Sequence, residues 1–231
     1  LLKKYGGTQP VTMAILSKDY EAAILLLDYV SYNVHDSFLM TVFSTAFQLE
    51  QKSLSNLEMD LINKIIYTGK FSLDEVTTFS DAPVDAPEMR TVHTLLSFAL
   101  HFGLLDLFNL LLEAGADINA HKGCILTNAV GSGDVEKVRF ILEKGAKVHG
   151  TGPKALQAKL EIHIEYEIVK LLLEHKIDFD KERIFARVVE DAKWDIIKLI
   201  YDSGIDREKC EHIFLSPIST HDYNMVKYLL D

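Results

Sequence analysis

The densest group of side chains able to do chemistry is Glu161, His163, Glu165 and Glu167. His163 and Glu167 are four residues apart, the spacing that puts two side chains on one helical face. A metal centre needs three or four converging ligands, and this run reads instead as a solvated link between helices. Cys124 has no histidine and acid that can be assigned to it as an activating pair, so it does not read as a nucleophile. The run Gly131-Ser-Gly-Asp134 resembles a phosphate turn, but its place in the pattern below puts it at the end of a helix. No Gly-rich phosphate loop, H-E-x-x-H or EF-hand spacing is present. These residues point to no catalytic centre, no metal site and no cofactor.

The chain has 231 residues, 34 acids and 24 bases, for a formal net charge of −10. That balance argues against a nucleic-acid groove, which needs concentrated basic surface to displace counterions. It argues equally against a polybasic membrane surface. With 48% hydrophobic residues there is material for a sizeable core. No apolar run approaches the roughly 18 residues of a membrane span, so membrane insertion is not expected. Two cysteines, Cys124 and Cys210, cannot form a disulfide framework, which favours a reducing intracellular, cytoplasmic setting.

The elements that carry these residues repeat. The nine residues "LDLFNLLLE", Leu105 to Glu113, recur in pattern from Tyr20, Met59, Val135, Tyr166, Trp194 and Tyr223. Each copy opens on a bulky apolar residue and continues with Asp, Glu or, in the last, Asn. Apolar residues at positions one, four, seven and eight fall on one helical face, and the acid at position two opposes the positive end of the helix dipole. On this reading Trp194, at position one, is a core residue. Gly115, Gly145 and Gly204 stand two residues after the last position, where a left-handed C-cap calls for glycine. Val30, Gly69 and Lys176 take that place in other copies. Successive copies start 39, 46, 30, 31, 28 and 29 residues apart; the two long steps read as insertions. A nine-residue helix is too short to stand alone. A second short helix precedes it, most clearly in His93 to Gly103 and Cys124 to Gly133, and stacked pairs can bury what one pair cannot.

Gly115 to Ala120, "GADINA", carries a family resemblance, and "TLLSFALHFG", Thr94 to Gly103, sits where that family shows T-P-L-H-x-A-A-x-x-G. "QPVTMA" from Gln9 and "CILTNA" from Cys124 occupy the same slot. The chain resembles the ankyrin repeat family, with degenerate repeats similar in style to those of intracellular bacterial effectors, giant viruses and protists. The resemblance implies an all-α helical repeat solenoid of about seven helix pairs. The family's histidine is replaced by Thr12, Ser97 and Thr127, so these turns must be held differently. Periods below the family's roughly 33 residues predict short or irregular fingers, with turns and no continuous sheet in the second half.

One array over 1–231 is expected, with 1–7 closing a preceding repeat, an insertion around 49–56 and an acidic finger loop inserted at 71–90. Neither end reads as a polar capping unit, so a fragment of a longer protein is expected. The resemblance implies non-catalytic binding of another protein through the concave face and loop tips, with His101, Phe102, Asn119, His121, Lys122 and Ser132 as contact residues. The alternatives are a substrate-positioning or targeting arm of an enzyme or effector whose catalytic domain lies outside this segment, and a purely architectural spacer.

Overall fold

The structure, a computed structural model, describes residues 9–29, 55–68, 72–74, 76–79, 91–206, 208 and 223–230. Contacts divide the chain into two compact units, Leu1–Ile125 and Leu126–Asp231.

In the first unit, α1 (Gln9–Leu16) and α2 (Tyr20–Leu26) form one helix pair, and α3 (Asn56–Tyr67) packs on α2. Strands β1 (Val76–Phe79) and β2 (Thr91–Thr94) pair antiparallel, with Val76 opposite Thr94 and Phe79 opposite Thr91. They lead into the pair α4 (Leu95–His101) and α5 (Leu105–Glu113). Next comes α6 (Ala120–Ser132), whose first turn is left-handed at His121, Lys122 and Gly123. The second unit continues with α7 (Val135–Glu143), α8 (Gly152–Ile162), α9 (Tyr166–Glu174), α10 (Lys181–Glu190), α11 (Trp194–Asp202) and α12 (Tyr223–Leu230). Here α9 packs on both α7 and α11, while α10 packs on α11.

All seven motif copies are helical over their described residues, and α5, α7, α9 and α11 coincide with their nine-residue motifs to the residue. Five preceding, inner helices are described: α1, α4, α6, α8 and α10. The inner-helix positions of the other two pairs lie outside the described residues, as do 1–7, 49–54, 80–90, Val30, Gly69 and Cys210. Among the described residues the sole sheet is β1–β2, with β1 inside the insertion expected at 71–90 and β2 just after it. The second unit shows turns where fingers would stand, as the short periods predict.

Position four of the motif is fully buried wherever it is described: Ala23, Ile62, Phe108, Val138, Val169 and Ile197 all have 0% exposure. Position seven matches it at Ile65, Leu111, Ile141, Leu172 and Ile200. Position one departs from the expectation. Leu105 is 49% exposed, Tyr223 75%, and Trp194 is half-buried rather than core. The third position takes its place, with Leu61, Leu107, Ile168 and Ile196 buried. At about 100° per residue, positions three, four and seven centre the buried stripe roughly 110° away from position one. The opening residue therefore rides the rim of the stripe.

The helix stops follow one geometry. Gly115 has φ +94°; its N–H donates to the Leu112 carbonyl at 3.0 Å and that of Ala116 to Leu111 at 2.9 Å. Gly145 repeats the arrangement at φ +88°. Lys176 adopts the same left-handed turn at φ +54°, with Lys176 and Ile177 bonded back to Leu173 and Leu172. Stacking imposes the stop even where the sequence lacks the residue suited to it.

Candidate functional site

Two groups of proposed contact residues belong to the first unit. The first surrounds the left-handed turn that opens α6. His121 has φ 50° and ψ 47°, and Lys122 has φ 67° and ψ 23°. Each such conformation costs a residue with a Cβ roughly 1–2 kcal/mol, and strain of this kind collects at functional positions. The turn is held on both sides, by buried Ala120 and by buried Cys124. Asn119 N–H donates to the Asp117 carboxylate at 2.8 Å. The finger is tied to the same turn: Asp117 N–H donates to Asp74 Oδ1 at 2.9 Å, and His121 Nε2 donates to the Asp74 carbonyl at 2.7 Å. His121 and Lys122 remain exposed on this frame.

The second group closes α4. The exposed ring of His101 meets half-buried Phe102 edge-on at 4.7 Å, and Phe102 rests on buried Phe98 at 4.6 Å. His93, not singled out from the sequence, joins them 6.4 Å from His101. His93 lies on strand β2, ahead of the helix that carries His101, so no helical spacing in the sequence announces this neighbour. The missing family histidine is also accounted for. Ser97 Oγ donates to the Thr94 carbonyl at 3.0 Å, and Ser97 N–H donates to Thr94 Oγ1 at 3.2 Å. A Thr–Ser pair thus holds the turn that the imidazole would otherwise hold.

Ser132 belongs to the second unit, and its hydroxyl is spent locally. It donates to the Ala129 carbonyl at 2.7 Å and accepts from Asp134 N–H at 3.4 Å. Asp134 in turn caps α7 by accepting from Lys137 N–H at 3.1 Å, so Gly131 to Asp134 is a helix junction. The acid–histidine run is dispersed. Glu161 is held by Arg183 through a two-pronged ion pair, 2.6 and 3.0 Å, while the His163 ring lies beside Gly133. Among the described residues no group of three or more metal-type side chains converges. Cys124 is 8% exposed, and burial pushes its thiol pKa up despite a hydrogen bond with Thr94. A raised thiol is a poor nucleophile.

No family model matches the chain. A protein of Acanthamoeba polyphaga mimivirus named for its ankyrin repeats is 30% identical over 107 residues, 46% of this chain. The all-α helical-repeat fold is consistent with ankyrin type. The match spans 34% of that viral protein, about a third of its length. In ankyrin-type terms, α4 and α6 are inner helices, the turn at Asp117 to Gly123 joins two repeats, and β1–β2 is a finger. No described helix is long and apolar enough to cross a membrane.

Proposed function

We propose that the ankyrin-type repeats form a non-catalytic module that binds another protein through inner-helix ends and loop tips. His101, Phe102, Asn119, His121 and Lys122 would supply the contacts in the first unit, and Ser132 in the second. The observation that carries this reading is the strained, exposed left-handed turn at His121 and Lys122, tied to the finger residue Asp74. A rigid frame lowers the ordering cost of association, and the Phe102–His101 ring pair offers an aromatic anchor of the kind that dominates protein interfaces. The buried, free Cys124 supports a cytoplasmic setting. The test is a comparative pull-down from cell extract. Phe102→Ala combined with Lys122→Glu should lose the specific partner by about tenfold or more, while leaving the circular dichroism spectrum unchanged. Undiminished recovery would remove this surface from the account.

A further inference from the structure

The starts of the outer helices are not alike. In the first unit the Tyr20 hydroxyl donates to Glu58 Oε1 at 3.0 Å, so the first turns of α2 and α3 are joined by an aromatic–acid contact. The corresponding starts of α9 and α11 leave an open cleft. Its floor is buried Ile164 and Ile196, and its walls are the exposed ring of Tyr166 and the half-buried ring of Trp194. Glu165 and Asp195 stand at its edge, both exposed, and neither carboxylate is in an ion pair among the described residues. Among the described residues Lys193 is the one cation lining the cleft, and its Nζ donates to the Ile164 carbonyl at 2.9 Å.

We propose that this cleft is a second docking site, for a basic peptide segment that lays an arginine or lysine side chain against Tyr166 and Trp194 and pairs it with Glu165 and Asp195. Charge complementarity selects the occupant: two unpaired acids face a cleft whose lysine is turned to the backbone, on a chain of net charge −10. Aromatic faces attract cations, and Trp194 already does so within the chain, with Lys198 Nζ 6.0 Å from its ring. The competing occupant is a carboxylate, since neither helix start has a side-chain cap on its N–H groups.

Trp194 is the chain's single tryptophan, so its emission reports on this cleft directly. A blocked hexapeptide of alternating arginine and glycine should change that emission saturably, and less strongly as salt rises. The matching glutamate–glycine peptide should not. Glu165→Gln with Asp195→Asn should weaken the arginine peptide about tenfold. Tyr166→Leu, which keeps the apolar cover and removes the ring, should weaken it about threefold. No response to the arginine peptide, an equal response to the glutamate peptide, or unchanged affinity in both variants would overturn the proposal. Phe102→Ala with Lys122→Glu should leave peptide binding intact, so failure here is separable from failure of the surface proposed above.

Discussion

Tyr20 shows how one side chain reports on the packing of two helices. Burial, the hydrogen bond to Glu58 and the charge on that carboxylate, in that order, push its phenol up to about 12 from an ordinary 10.0. The fold thus favours the protonated phenol, and that stability is complete below pH 10. It is lost as pH rises through about 12. Comparing the alkaline ultraviolet titration of wild type and Tyr20→Phe isolates this one phenol among nine tyrosines. Glu58→Gln should lower the Tyr20 value only part of the way towards 10.0, because burial, the largest cause, stays. Gln at this position also preserves the capping box with Ser55, so helix α3 should survive the change. A Tyr20 that titrates in its ordinary range in the wild type would show that the α2–α3 contact does not form in solution.

The helix stop is the clearest case in which an element overrules a residue. Gly115 has open space where a Cβ would go, so Gly115→Ala costs backbone strain alone, about 1–2 kcal/mol. Lys176 holds the same left-handed turn without glycine's freedom. Lys176→Gly should therefore raise stability, by about 0.5–1 kcal/mol after the entropy glycine adds to the unfolded chain. Paired chemical denaturation of the two variants checks both signs, and a destabilised Lys176→Gly would mean that its side chain packs more than its turn strains. The helices themselves were legible because their apolar spacing, first-turn acids and stop signals agree with one another. The finger was less so: the pairing of 76–79 with 91–94 joins segments separated by an insertion, and no local pattern announces such a partner. The Ser55–Glu58 capping box, by contrast, is legible in Ser-x-x-Glu.

At the scale of the whole molecule, stability rests on a row of side chains contributed one per repeat. Position four is shut off from water in all six described copies, and α2 packs on α3 in the first unit while α9 packs on α7 and α11 in the second. Ile197→Ala should therefore cost about 2–5 kcal/mol. Trp194→Leu, three positions earlier on the rim of the stripe, should cost clearly less in the same thermal or denaturant melts. Equal losses would restore Trp194 to the core. The contrast matters for function too. A repeat that buries its fourth residue completely and its first only partly presents a bulky side chain beside an acid at every outer-helix start but the last, where Asn224 stands. In the cleft between α9 and α11, open space and carboxylates without an ion pair among the described residues accompany it.

The amino-acid sequence determined the repeat, its helices, the glycine stops at Gly115, Gly145 and Gly204, and the family they resemble. All of these depend on residues within a turn or two of each other, where spacing translates directly into facing. Tertiary structure decided which rim residues see solvent, that Asp74 ties the finger to the Asp117 turn, that His93 stands beside His101, and that the starts of α9 and α11 leave a cleft while those of α2 and α3 are bridged. Those outcomes depend on the separation and tilt of whole helices. A helical period fixes the direction of a side chain, but not the distance to the surface that will meet it.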